Sequence, residues 1–501
     1  MRKSLPRDSF QRHGGRFSMA FSSVQSLCLH LISSAFRRCR FSEQICRLSI
    51  ILSRSSSSMK PSVPISISDT GIGGCLEDFQ DLKFSFEGVA ENWDGILSIK
   101  TTSICDTEIY SYQLNLKETD STGRINKLPS NTKNGAKFSG TEVCLSSRVS
   151  LDLLLAEIHS FLQKMMILQT PNVAIHLAAE DCDVPGSRYE KVFLANEYKQ
   201  LALAASSLER LKSGLEDYVL KHENSLDEKC NSCFLSREHL KVGSGIACCI
   251  DDRLHTELVT EAVIVISDIS KQKTTCVRES GDKTEVLYFK DFSPGTISHS
   301  SMKALKSIDW RRYGLNLVRI VQQGGCAILE WGNLLRDVHI DIVLHFYQRP
   351  YPAMDTMIPA SRKKPQLDRI LLKRAVKLSL DDIKDKHAGV LLSAQALKIS
   401  TYAPDLAKTI AGLILSSNDS DFQGECSSLL GLQPEGVGTE IVQNRIRERL
   451  VSVIEMNDKR PQKTKEAPFL FVDDRMHEGY FQEYDCEEVS EVGHLYEELL
   501  D

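Results

Sequence analysis

Apolar residues change their spacing twice within the first hundred positions. Val24, Leu27, Leu31, Ala35 and Phe36 recur at the period of one helical face, and Glu43 to Leu52 predicts a second helix after a short break. Ser53 to Pro64 reads as a Ser/Pro hinge. Ile65-Ser66-Ile67-Ser68-Asp69 then alternates as a strand and runs straight into Thr70-Gly71-Ile72-Gly73. The order predicted is helix, helix, strand.

Beyond that turn, Gly95 to Thr101 and Glu108 to Leu116 alternate as strands, and Thr119 to Lys137 is polar enough to predict a loop. Thr141 to Ser147 predicts a strand, Leu151 to Leu168 an amphipathic helix, and Asn172 to Leu177 another strand. Helices combined with a meander of this kind give an α+β sandwich, one helical layer on one sheet. Residues 190–222 predict one long helix, and 223–245 a charged, thiol-rich loop in which Gly243-Ser244-Gly245 is a turn. A continuous apolar strand follows at 257–269, with further strands near 284–289, 315–322, 325–330 and 338–347. A very long helix, Gln366 to Ser400, leads to shorter ones at Pro404 to Leu415 and Thr439 to Val453, with Glu425 to Gly438 as a loop between them.

Length and composition then narrow the classes. At 501 residues and 42% hydrophobic content the chain can bury a large core, and its size corresponds to roughly two or three domains. A formal charge of −6 argues against a wholly basic nucleic-acid coat, so any DNA contact is local or made through a partner. No uninterrupted apolar run reaches the length of a membrane span. Fifteen unevenly spaced cysteines predict free thiols rather than a disulfide framework. Cys230 and Cys233, near His222, His239, Cys248 and Cys249, form a single C-x-x-C pair, short of the two pairs a zinc finger needs, so no metal site is expected. The arginine- and serine-rich first 54 residues have the composition of an organellar transit peptide; the other reading is a short basic leader before a folded helix. The end of the chain, from Asn457, begins basic and turns acidic, with aromatic residues throughout, the composition of a flexible docking arm. No Ser/His/Asp or Cys/His arrangement forms a nucleophile frame, and no catalytic residue is assigned.

The chemistry centres on Asp69-Thr70-Gly71-Ile72-Gly73. A strand that delivers an aspartate into a D-x-G-x-G turn is how one ATPase superfamily holds adenine, the carboxylate taking the exocyclic amine while glycines admit the base. Such sites also need a preceding helix close to E-L-V-x-N-S-x-D-A, whose Glu polarises the attacking water and whose Asn, one turn on, holds magnesium. Here the helix reads His30-Leu31-Ile32-Ser33-Ser34-Ala35-Phe36-Arg37-Arg38, so the working positions carry His30 and Ser34, and Arg37 reverses a charge. A glycine-rich phosphate lid is also absent: only Gly88 lies between Gly74 and Gly95. The candidate nucleotide residues are therefore Ser34, Asp69, Gly71 and Gly73, in a degenerate site.

The helix around His30 to Cys39, the turn Ile65 to Gly73, Gly140 to Leu168 with Pro171 to Leu177, Ile308 to Leu315 and His339 to Phe346 together resemble the topoisomerase VI B family, and within it the plant meiotic B-like members. The resemblance runs from about Val24 to Val453. It implies a Bergerat (GHKL)-like α/β sandwich followed by a transducer domain with long C-terminal helices. The corresponding boundaries are a disordered basic leader at 1–20, a degenerate ATPase-like domain at 21–180, a helical linker and loop at 181–250, a transducer at 251–456 and a flexible acidic and aromatic tail at 457–501. It favours the leader reading over a transit peptide, because cleavage would remove the helix that packs on Asp69.

In the family a transducer lysine touches the γ-phosphate; Lys363 or Lys364 lies in the corresponding loop, open also to a DNA backbone, although the flanking sequence departs. The family's helix–two-turns–helix insert is not recognisable. The resemblance implies no resident cofactor, with ATP and Mg²⁺ held weakly at most. It implies a DNA-cleaving A-subunit-like transesterase as partner, gripped through apolar residues of the last helix such as Ile446 and Leu450. It further implies other meiotic break-formation factors, DNA reached through the complex, a heterotetramer of two A-type and two B-type chains, and a nuclear location. The alternatives are an ATP-dependent subunit with a divergent working pocket and a stand-alone interaction scaffold. If no adenine is bound, Asp69→Asn is expected to matter little.

Overall fold

The computed structural model describes residues 19–54, 62–85, 93–118, 124–181, 188–195, 205–221, 237–251, 256–268, 282–332, 334, 338–350, 364–387, 389–432 and 438–459. All of them belong to one compact unit that ends at Lys459. The leader as far as residue 18, the Cys230/Cys233 pair, Lys363 and the tail beyond 459 lie outside the described residues.

The N-terminal half contains β1 (Met19–Phe21), α1 (Val24–Arg40), β2 (Cys46–Arg54), β3 (Val63–Asp69), the short α2 (Glu77–Gln80), β4 (Leu82–Phe84), β5 (Ile96–Thr102), β6 (Glu108–Asn115), β7 (Ile125–Thr132), β8 (Gly140–Ser147), α3 (Leu151–Met165), β9 (Val173–Asp181) and β10 (Arg188–Leu194). One eight-stranded sheet runs β10-β9-β2-β3-β8-β5-β6-β7, with β2 and β9 parallel and its other pairings antiparallel. The Ser23 side chain caps α1 by accepting from the Ser26 amide at 3.1 Å, and Arg37, Arg38 and Arg40 sit in the last turn, where they complement the helix dipole. Val24, Leu27, Cys28, Leu31, Ile32, Ala35, Phe36 and Cys39 are buried against the sheet and α3. Taking each of the valine, leucine, isoleucine and phenylalanine side chains out of water stabilises by about 1.5–3 kcal/mol before the entropy cost of ordering it.

After α4 (Ser207–Lys221), the second half contains β11 (Leu240–Asp251), β12 (Thr256–Asp268), β13 (Lys283–Lys290), β14 (Ser293–Pro294), α5 (His299–Lys306), β15 (Leu317–Gln323), β16 (Cys326–Trp331) and β17 (Val338–Pro350). It closes with α6 (Lys364–Lys386), α7 (Ala394–Ser400), α8 (Ala403–Ser416), α9 (Ser420–Leu429) and α10 (Thr439–Lys459). The second sheet runs β11-β12-β17-β13-β16-β15, with β14 paired to β13. One of its faces, including Val263, Val265, Leu287, Phe289 and Val343, joins the core of the N-terminal half. The opposite face, including Ile264, Ile266, Ile342 and Leu344, packs on α5 and α6. Burial on both faces explains why β12 reads as a continuous apolar run. The α+β sandwich followed by a second sheet and long helices is the arrangement the resemblance implied.

Several elements differ from the predicted ones. Cys46 to Arg54 is a strand: Leu48, Ile50 and Leu52 turn inward while Arg47 and Ile51 are exposed, a two-residue period. Ile125 to Thr132 is an edge strand that buries none of its residues, which removes the apolar signal. The described parts of 190–222 divide between β10 and α4, and Ser420 to Leu429 is a helix begun by the Asp419 cap. Gly389, at φ +81°, and the Ser393 cap divide the expected 366–400 helix into α6 and α7. No helix among the described residues is long and apolar enough to cross a membrane.

Gly243 and Gly245 lie within β11 rather than in a turn, and there α6 rests directly on the strand backbone. A Cβ on Gly243 would stand 2.1 Å from the Ser379 carbonyl oxygen, and one on Gly245 would stand 2.2 Å from that of Ala375. Ser379 Oγ donates to the Gly243 carbonyl at 2.8 Å, and the Ser244 amide donates to Asp382 at 3.0 Å. Gly243→Ala is expected to lower unfolding stability by about 2–4 kcal/mol. Gly412→Ala, in the open middle of α8, should raise it by about 0.5–1 kcal/mol. Urea melts of the two variants check both signs.

Candidate functional site

Strand β3 carries Asp69 to its C-terminal end, where it pairs with Leu48 on β2 and Thr141 on β8. The following turn lies against α1. A Cβ on Gly71 would come within 2.5 Å of the Arg38 backbone, so only glycine admits this approach. Gly73 adopts φ +84° with the Thr102 carbonyl oxygen 2.3 Å from where a Cβ would stand, a second position that needs glycine. The Gly74 amide is shared between the Thr101 and Thr141 hydroxyls at 2.9 and 2.7 Å, and those two hydroxyls meet at 3.0 Å. The two glycines and the two threonine hydroxyls therefore fix the D-x-G-x-G turn tightly between α1, β5 and β8.

Its aspartate is already occupied. Arg38 Nε and Nη2 donate to Asp69 Oδ2 at 2.9 and 2.7 Å, and the Gly71 amide donates to Oδ1 at 3.0 Å. The Asp69 side chain is fully inaccessible and that of Arg38 only 8% exposed. In the helical motif Arg38 stands at the closing alanine, so a small residue has been replaced by a cation that reaches the carboxylate. Burial pushes the Asp69 carboxyl up, while the Arg38 guanidinium and the Gly71 amide draw it back towards the ionised form. The guanidinium bonds to Oδ2 and the Gly71 amide to Oδ1, so each carboxylate oxygen has a donor from within the fold.

The two positions for hydrolysis are equally altered. His30 packs against the Phe21 ring at 5.0 Å, and burial, with the nearby Arg37 and Arg38 charges, pulls its imidazole down to about 4. It is neutral near pH 7 and brings no negative charge to the helix. Ser34 is half-buried on α1, one turn beyond His30. Lys364 enters as the first residue of α6. Among the described residues no group of three His, Cys, Asp or Glu side chains is placed to hold a metal ion.

Ile446 turns inward, and it and Val442 pack on Ala407 and Ala411 of α8, with Leu450 half-buried beside them. Ile446, expected at a partner interface, is thus part of the contact that holds α8 to α10. Sequence reasoning missed Arg38, Thr101 and Thr141. The available signal for Arg38 was a cation at the last motif position, one residue beyond the charge reversal at Arg37; the threonines gave none.

Removing one partner of a buried ion pair strands the other in a low-dielectric interior. Arg38→Ala and Asp69→Asn should each lower stability by about 3–5 kcal/mol, contrary to the expectation that Asp69→Asn matters little. The double variant Arg38→Met/Asp69→Asn should recover part of that loss, which chemical denaturation of the three proteins would establish. His30 has a folded-state pKa below its ordinary value, so the unfolded chain takes up the proton first. Stability should fall as pH drops from about 6.5 to 4, by on the order of 2–3 kcal/mol, and His30→Gln should flatten that slope.

A comparison with curated proteins found no match. Among solved structures the chain is similar to the Aquifex aeolicus MutL ATPase domain complexed with ADP, at TM-score 0.28 and 11% identity, covering 70% of this chain and 97% of that one. It is similar to the B subunit of DNA gyrase from Myxococcus xanthus, at TM-score 0.32 and 10% identity, covering 71% and 89%. It is also similar to the ATPase region of Saccharomyces cerevisiae topoisomerase II, at TM-score 0.28 and 8% identity, covering 72% and 84%. Scores this low establish nothing on their own. The specific finding comes from family models: residues 208–387 match the MTOPVIB middle domain and residues 395–459 the meiotic topoisomerase VIB-like C-terminal domain. Residues 208–459 thus carry the middle and C-terminal domains of the meiotic topoisomerase VIB-like family.

Proposed function

We propose that the chain is the non-catalytic B-type subunit of a topoisomerase VI-like complex. With an A-subunit-like transesterase it forms the DNA double-strand breaks that initiate meiotic recombination, in the nucleus. The assembly we infer is two A-type and two B-type chains, reaching DNA through the complex, with other break-formation factors docked on it. The family-model matches support the B-type role. The observation that carries the non-catalytic part is the Arg38–Asp69 pair, because an internal guanidinium holds Oδ2 and the carboxylate is closed off from anything outside the fold.

The partner surface follows from the α8–α10 packing. With Ala407 and Ala411 turned to α10, α8 presents Tyr402 just before its start, then Leu406 and Leu413, at 60, 48 and 66% exposure. These positions fall at i, i+4 and i+11, the spacing of one helical stripe, and an apolar stripe left open on a helix suits a second helix. The last helix of the chain thereby props the docking helix rather than forming the contact itself.

Titration calorimetry with ATP and Mg²⁺ should show no binding at micromolar concentrations, and phosphate release should match buffer. Micromolar binding with turnover would instead favour the ATP-dependent subunit. Leu406→Asp with Leu413→Asp should abolish co-purification of an A-type transesterase and leave helicity unchanged. Ile446→Asp should lose helicity as well as partner, because it places a charge inside the α8–α10 contact.

A further inference from the structure

We propose that the two halves of the chain are locked in one relative orientation by a half-buried clamp in which Phe292 contacts both Arg40 of α1 and the His345/Tyr347 stack of β17. The proposal rests on the non-catalytic reading only for its purpose. A scaffold with no nucleotide to set the angle between its halves needs another way to fix it.

The clamp begins with the two-residue turn between β13 and β14. Asp291 and Phe292 have φ of 48° and 64°, left-handed at both central positions. Such a turn suits glycine or asparagine, and a phenylalanine there is strained unless its surroundings fix it. The surroundings do so through three side chains. The Arg40 guanidinium lies 3.5 Å from the Phe292 ring centroid, close enough for a strong cation–π contact. His345 meets the same ring edge-on at 4.4 Å, and Tyr347 lies 5.0 Å away. The turn is also tied down by the Asp291 amide, which donates to the Phe346 carbonyl at 2.9 Å.

His345 and Tyr347 are themselves fixed. They stack at 4.6 Å, and both bond to the buried Glu261: His345 Nδ1 lies 3.0 Å from Oε2 and Tyr347 donates to Oε1 at 3.1 Å. Ser207, at the start of α4, donates to the same carboxylate at 3.0 Å. A carboxylate with three side-chain partners in a dry interior resists rearrangement, because moving any one of them strands a polar atom.

Other contacts cross the same boundary. Ser293 donates to Ser33 of α1 at 2.6 Å, and Lys164 of α3 pairs with Glu285 of β13 at 3.0 Å. Gly214 brings α4 so close to the end of α3 that a Cβ would meet the Ile167 carbonyl oxygen at 2.0 Å. The apolar core is continuous across the boundary, Leu27 and Phe289 belonging to one cluster. A hinge needs few buried contacts and exposed backbone, and this boundary has neither.

Scanning calorimetry and hydrogen exchange on the full chain test the lock. The native chain should unfold in one transition, with calorimetric and van't Hoff enthalpies equal, and ATP with Mg²⁺ should not alter it. Phe292→Gly relieves the left-handed strain while deleting the ring. It should lower the midpoint of the transition and speed exchange at the C-terminal end of α1 and at the β13–β14 turn together, by about tenfold or more. Arg40→Lys keeps the charge without the planar stack and should give a smaller effect at the same two places. Two transitions in the native chain would overturn the lock, as would a Phe292→Gly variant whose midpoint and exchange are unchanged. ATP turnover would overturn the non-catalytic reading but not a single transition, so the two failures are distinguishable.

Discussion

The Arg38–Asp69 ion pair is the constraint around which the N-terminal half is organised. It joins the last turn of α1 to the end of β3 at the point where Gly71 brings the turn onto the helix backbone. An interior carboxylate needs a counter-charge or a ligand to stay ionised, and here the counter-charge is covalently part of the fold. The pair is therefore a fixed part of the N-terminal half, closed off from solvent.

The remaining features agree with that reading. His30 is held neutral first by burial and then by the nearby Arg37 and Arg38 charges. Small residues on α8 let α10 seat closely and leave an apolar stripe outward. The clamp at Phe292 ties the halves together without reference to any small molecule.

Much of this order was legible because period follows burial. α1, β3, β8 and α3 each bury one face and were readable from spacing alone, while β12, buried on both faces, showed as an unbroken apolar run. Polar β7 carried no such signal, and β2 was read as a helix because Ile50, Ile51 and Leu52 are consecutive apolar residues that fit either period. The cradle was legible in Asp69, Gly71 and Gly73, whose identities are set by local geometry. Its occupant was not, because Arg38 and Asp69 are 31 residues apart and no spacing rule joins them. The same holds for Glu261 and His345, which meet only through β12–β17 pairing.

The core shared between the halves bears on which pieces of this chain can exist alone. Leu240, Val242, Leu287, Phe289 and Val343 lie under the N-terminal layer, although all five belong to the segment that matches the family models. A fragment starting at that segment would bring these side chains into water as one greasy surface and would self-associate before it could recognise anything. The N-terminal layer cannot be cut away without uncovering its neighbour.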